Sequence, residues 1–179
     1  MRVLTVPGLD GAPPGMWLSL WERDGGWTRV AEGGRDDPEA RAEALRAQVA
    51  EAEPPVLLVA HSAGCLTVAR AGGLPGVAGA FLAAPPDAEQ PMAPDPIARF
   101  GPGPWEALRF PAVVVASQSD PWCAYPRAAA LAGAWGARLH DAGAAGHLAA
   151  ADGLGDWPEG RRVLDDLAAS LAPPGVAPG

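Results

Sequence analysis

Two stretches constrain the fold of this chain more than any others: Val56-Leu-Leu-Val-Ala60 and Ala112-Val-Val-Val-Ala-Ser117. Each is a continuous apolar run rich in β-branched residues, as expected of strands buried on both faces of a parallel sheet. The same reading predicts further strands at Arg2–Val6, Thr28–Val30, Val77–Ala83 and Ala137–Asp141. Helix-like segments fall between them at Pro38–Glu51, Gly64–Ala71, Pro126–Trp135 and Glu159–Leu171. Asp36, Asp37 and Glu39 gather at the start of the first, where negative charge meets the positive end of the helix dipole. Strands alternating with helices imply an α/β fold: a central, mostly parallel sheet with right-handed crossovers. No internal repeat or linker interrupts residues 1–171, which read as one domain; the Pro- and Gly-rich tail, 172–179, reads as frayed. The proline-rich stretch 85–111 reads as an irregular excursion with a short helix near Trp105–Leu108, enough for little or no lid.

Composition then removes whole classes of function. A chain of 179 residues, 49% hydrophobic and 19% charged, suits one globular core. Its net charge of −8 opposes nucleic acid and anionic lipid. All 13 basic residues are arginine, so lysine Schiff-base chemistry and the lysine-bearing phosphate loop are excluded. Without asparagine there is no N-glycosylation acceptor. The two cysteines, Cys65 and Cys123, form neither a disulfide framework nor a metal-ligand pair and read as small buried residues. No apolar run is long enough to span a bilayer, and Met1 leads almost directly into a strand, so a cytoplasmic location is expected.

The candidate chemistry sits where Val-Leu-Leu-Val-Ala60 runs through His61-Ser62-Ala63-Gly64 into a helix. A strand-to-helix corner with serine at its apex lifts the hydroxyl above the sheet, the arrangement called a nucleophile elbow. The corner needs small residues two places either side of the serine; here they are Ala60 and Gly64. Serine needs a base, and the base a third group to hold it; on this kind of sheet the chain order is Ser, acid, His. Asp120 follows the strand ending at Ser117, and Pro121 keeps it out of helical geometry. His147 ends a glycine-bearing loop after the next strand. Asp87 is the alternative acid, one strand earlier, while His140 falls within a strand and His61 reads as structural. An oxyanion needs two backbone donors; the amide of Ala63, at a helix start, and that of Leu9 or Asp10, in the turn after the first strand, are the candidates. Gly8, Gly11 and Gly15 in that turn lack dinucleotide-loop spacing.

Several segments together resemble the small serine hydrolases related to the retinoblastoma-binding hydrolase and the bacterial YdeN-like proteins. They are Val6-Pro7-Gly8, the Trp17 and Trp21 pair, Leu58 through Leu66, Ala83 through Asp87, Phe110 through Ser117, Asp120-Pro121-Trp122, Gly143 through His147, and Trp157 through Gly160. The resemblance runs from Val3 to about Leu164. It implies a three-layer α/β-hydrolase-like fold, a triad of Ser62, Asp120 and His147, tolerance of Ala60 in the elbow, and Asp87 as a turn residue. The chain departs from the family at Met16, where histidine is common, at Ala149, where asparagine is frequent, and near Gly33–Asp37, which lacks a tryptophan. The L-x-C-x-E motif of retinoblastoma binding is absent, and that partner is not carried over.

The expected function is therefore esterase-like acyl hydrolysis of a small-molecule acyl substrate, with no metal or organic cofactor. Trp122, beside the acid, and Met16 are the expected pocket residues. A binding or scaffold protein that keeps the fold without turnover is the alternative. A metal hydrolase built on His61, His140 and His147 lacks ligand spacing.

Overall fold

The computed structural model describes residues 1–31, 33–103 and 106–171. Six strands form one sheet: β1 (Arg2–Val6), β2 (Thr28–Arg29), β3 (Val56–His61), β4 (Val77–Ala83), β5 (Ala112–Ala116) and β6 (Arg138–Asp141). Their order is β2-β1-β3-β4-β5-β6, and every neighbouring pair is parallel. Helices α1 (Trp17–Gly25), α2 (Pro38–Glu51), α3 (Ala63–Ala71), α4 (Asp95–Ala98), α5 (Tyr125–Ala134) and α6 (Pro158–Ser170) complete the fold.

Alternation along the strands builds the three layers. Leu4, Val6, Leu58, Ala60, Leu82 and Val114 project to one side, into a core shared with Leu45 of α2, Leu66 of α3 and Leu131 of α5. Leu57, Val59, Phe81, Val113 and Val115 project to the other, against Trp17 and Trp21 of α1 and Leu164 of α6. Both faces are covered, which is why β3 and β5 carry no polar alternation. α2 begins as its sequence dictates: the Asp37 carboxylate accepts from the amides of Glu39 and Ala40, each at 3.0 Å, with Pro38 in the first turn.

The strand order reverses between β1 and β3, because the chain leaves β1 for β2 on one side and returns to β3 on the other. At such a switch point the loops beyond the strands' carboxyl ends diverge and leave a crevice. The turn after β1 and the β3–α3 corner both open there.

The structure differs from the sequence expectations in a few elements. The helix expected near Trp105–Leu108 is not formed over Glu106–Leu108, and Trp105 lies outside the described residues, as does the tail 172–179. The 85–111 excursion instead carries α4, a single turn begun by Pro94-Asp95-Pro96. α1 was not anticipated: Met16 caps it without a side-chain hydrogen bond, so no start signal precedes Trp17. It stops at Gly26, whose left-handed φ of 63° suits glycine.

Candidate active site

β3 delivers Ser62 to the corner in a conformation few side chains adopt, φ 53° and ψ −126°. Such a backbone costs about 1–3 kcal/mol and persists only where its surroundings enforce it. Here the Ser62 amide donates to the Ala83 carbonyl at the end of β4, and the Ser62 carbonyl accepts from Cys65 in α3. Gly64 is required by contact: a Cβ there would lie 2.0 Å from the Val6 carbonyl oxygen. Gly8, in the turn after β1, approaches from the other side; its Cβ position lies 3.0 Å from the Ser62 Cβ. Ser62 is 8% exposed, at the floor of this narrow corner.

Three side chains from distant parts of the chain meet at this point. His147 Nε2 lies 2.9 Å from Ser62 Oγ, and His147 Nδ1 lies 2.9 Å from each carboxylate oxygen of Asp120. The carboxylate can only accept, so Nδ1 carries a proton and Nε2 presents its lone pair to the serine hydroxyl. Asp120 is held by a further donor, the Trp122 amide, 2.9 Å from its Oδ1. Its side chain is 3% exposed and that of His147 13%. Asp87 lies elsewhere: it pairs with Arg127 at 3.1 Å and caps the Glu89 amide. His140 sits on β6, 3.5 Å from Glu159.

The loop carrying His147 is fastened on every side. Ser117 Oγ accepts from the Ala145 amide at 2.9 Å and Ser119 Oγ from the Gly146 amide at 3.0 Å, which ties the histidine loop to the acid loop. The Trp17 indole donates to the Leu148 carbonyl at 2.8 Å, and Asp152 accepts from the Ala149 amide at 2.8 Å. These holders were not singled out from the sequence. The only local hint was the pair of hydroxyls in Ser117-Gln-Ser119-Asp120, and their partners lie nearly thirty residues away.

His61 completes the frame. Its Nε2 donates to the His147 carbonyl at 3.0 Å, which leaves Nδ1 unprotonated. Burial, reinforced by the neighbouring His147, lowers its pKa to about 3. Unfolded, the same ring titrates near ~6.5, so neutral His61 stabilises the fold fully above that pH and progressively less as pH falls toward about 3. Within this window His61 alone is expected to remove about 1.4 kcal/mol of stability per pH unit. His61→Gln, which keeps a donor but cannot titrate, should show a shallower acid loss in urea midpoints between pH 7 and pH 4. Equal slopes would remove His61 from the account.

A cavity of about 670 Å³ opens over Ser62 and His147. Leu9, Met16, Pro86, Ile97 and Trp122 contribute apolar wall, with Arg29 and Arg35 at one side. Both arginines are engaged, Arg29 with Glu22 and Arg35 with Asp10. The excursion after β4 thus supplies one wall, through Pro86, Pro94, Pro96 and Ile97. Met16 is 3% exposed and Trp122 38%. Trp17, Trp21 and Trp157 pack together in the core instead. Cys65 and Cys123 are buried free thiols; burial pushes Cys65 well up and raises Cys123, also near Asp120, to about 12, so neither supplies a thiolate near neutral pH. Among the described residues no group of three His, Cys, Asp or Glu side chains could hold a metal ion, and no helix is long and apolar enough to cross a membrane.

A parallel sheet with this switch point, a serine on a strained strand-to-helix corner and helices on both faces define the α/β-hydrolase class. Within it, the chain belongs to the serine hydrolase family, whose family model matches residues 3–166. It is similar to a protein described as a YdeN-like hydrolase from Pectobacterium atrosepticum, at 31% identity and a TM-score of 0.84, over 96% of this chain and 92% of that one. The ydeN gene product of B. subtilis matches at 19% identity and 0.78, over 94% and 98% of the two chains. Thermogutta terrifontis esterase 2 shares the fold at 15% identity and a TM-score of 0.62, over 99% of this chain and 85% of that one. No curated protein matches the sequence.

Proposed function

We propose that this serine hydrolase cleaves small carboxylic esters through an acyl-enzyme, with Ser62 as nucleophile, His147 as general base and Asp120 as the group that orients it. The observation that carries the proposal is the unbroken run of 2.9 Å contacts from Ser62 Oγ through the imidazole to the Asp120 carboxylate. In the first step Ser62 Oγ bonds to the ester carbonyl carbon as His147 Nε2 takes its proton. The carbonyl oxygen becomes an anion, received by the amides of Ala63 and Leu9. Collapse breaks the bond to the leaving alkoxide, which takes the proton back from Nε2. Water then repeats the sequence, releasing the acid and restoring the serine. Asp120 stays ionised throughout and stabilises the imidazolium.

The wall of Leu9, Met16, Ile97 and Trp122 favours an uncharged, apolar acyl group, as buried apolar surface does in any cleft. A net charge of −8 fits a small-molecule substrate better than nucleic acid or an anionic membrane.

A fluorophosphonate probe tests the reading, because it traps only an activated serine. The wild-type chain is expected to label, Ser62→Ala not at all, and His147→Ala slower by ~10⁴-fold or more. A folded wild-type chain that stays unlabelled would favour a binding protein that keeps the fold without turnover.

A further inference from the structure

Among the described residues the most buried arginine, Arg41, stands directly behind the oxyanion candidates. Arg41, on α2, is 3% exposed, and its guanidinium reaches into the space between β1 and α3. Burying such a charge costs several kcal/mol unless its hydrogen bonds are well made. Arg41 Nη2 donates to the Pro7 carbonyl at 2.6 Å, and Arg41 Nε donates to Thr67 Oγ1 at 3.2 Å. The Thr67 hydroxyl, accepting from Arg41, donates its own proton to the Ala63 carbonyl at 3.1 Å. Arg41, directly at one segment and through Thr67 at the other, therefore links both backbone segments that border Ser62. Pro7 leads into Gly8 and Leu9, and Ala63 begins α3.

We propose that Arg41 is a positioning residue of the oxyanion hole, fixing the Pro7–Leu9 turn and the Ala63 peptide relative to each other through Thr67. The inference rests on the hydrolase reading above. Its physical basis is that each grip holds a rigid peptide plane next to one that carries a donor: Pro7–Gly8 adjoins the plane of the Leu9 amide, and Ala63–Gly64 adjoins that of the Ala63 amide. Holding the Pro7 carbonyl sets the plane of the Pro7–Gly8 peptide and so the path of the chain to the Leu9 amide. Holding the Ala63 carbonyl steadies the first turn of α3. The two donors belong to segments more than fifty residues apart in sequence, and the β1–β3 ladder ends at Val6 and Ala60, before either. Beyond that point Arg41 and Thr67 bridge them directly. Preorganised donors stabilise an oxyanion because they need not reorient as charge develops, and a shift of about 1 Å can cost ~10²-fold in rate.

Three variants and two readouts test this, with p-nitrophenyl butyrate as substrate. Arg41→Met is expected to lower kcat by about 10- to 100-fold with KM within about threefold. Arg41→Lys, which keeps the charge and one donor, should recover part of that loss. Thr67→Val, the milder change, should lower kcat less and in the same direction. Hydrogen–deuterium exchange supplies the second readout: amides of residues 8–10 and 63–65 should exchange faster in Arg41→Met and Thr67→Val, with α5 and β6 unchanged. Exchange that quickens everywhere, with kcat falling only as folded protein is lost, would overturn the proposal in favour of general stabilisation. So would an active wild type whose variants keep its kcat. A wild type that neither turns over nor takes a fluorophosphonate is a different result, which removes the hydrolase reading and this inference together.

Discussion

Asp120→Asn is expected to lower kcat/KM on p-nitrophenyl butyrate by about 10⁴-fold, the size of effect seen when a triad acid becomes an amide. The structure gives a specific reason for so large a loss from an isosteric change. The Trp122 amide donates to one carboxylate oxygen of Asp120, so that position must remain an acceptor. The asparagine oxygen is directed there and its NH₂ group falls in the other oxygen's place; both positions lie 2.9 Å from His147 Nδ1, so the imidazole meets a donor where it had met two acceptors. A donor at that point favours the tautomer with the lone pair on Nδ1 and the proton on Nε2. His147 would then face Ser62 with a proton and could not accept one. Because packing is unchanged, the urea midpoint should move little, which separates this loss from unfolding. Asp87→Asn is the matched control, since the Asp87 carboxylate pairs with Arg127 and caps the Glu89 amide. Its activity should stay within a few-fold of wild type. Reversed results, with Asp87→Asn inactive and Asp120→Asn active, would move the acid role one strand earlier.

The sheet was legible because its strands are covered on both faces, and double coverage writes itself as uninterrupted apolar sequence. Val56–His61 and Ala112–Ala116 fall within a residue of the expected bounds. α2 was equally plain, because Asp37-Pro38 is a start signal that acts through local hydrogen bonds. Elements whose reasons are not local were missed. α1 has only nine residues and no capping side chain, and its Trp17, Leu18 and Trp21 are explained by the core they enter. α4 is one turn, too short for a period to show.

The site divides along the same line. That a serine, an aspartate and a histidine follow the third, fifth and sixth strands in that order can be counted along the chain; the 2.9 Å distances between them cannot. Nor can the supports of the histidine loop and of the turn after β1, since Ser117 with Ala145, Trp17 with Leu148 and Arg41 with Pro7 are pairings made only by the closed fold. His61 illustrates the difference. A structural role was readable from its place beside the elbow, but its hydrogen bond to the His147 carbonyl required the two loops to be side by side.

Gly64→Ala should be severely damaging for a change of one methyl group. The added Cβ would lie 2.0 Å from the Val6 oxygen, 2.8 Å from the Val6 carbon and 3.0 Å from the Pro7 oxygen, all of them backbone. None of these atoms can swing aside as a side chain would. Val6 is fixed by its ladder with Ala60, and the Pro7 carbonyl is gripped by Arg41. β1 and α3 must therefore separate, at a cost expected to exceed about 3 kcal/mol, the upper range for overpacking. With a slope of about 1–3 kcal/mol per molar urea, the midpoint should fall by at least about 1 M. Gly133→Ala offers the contrast: it lies within α5 with nothing inside 4 Å of its Cβ position. That change should stabilise by about 0.5–1 kcal/mol, as alanine does over glycine inside a helix. The separation forced at Gly64 also pulls the Leu9 turn away from Ala63, so any folded Gly64→Ala protein should turn over more slowly than its folded fraction explains. A Gly64→Ala chain with the wild-type midpoint and rate would mean that β1 and α3 can part by an ångström or more without harm. Close approach of the two segments would then not be what the elbow depends on.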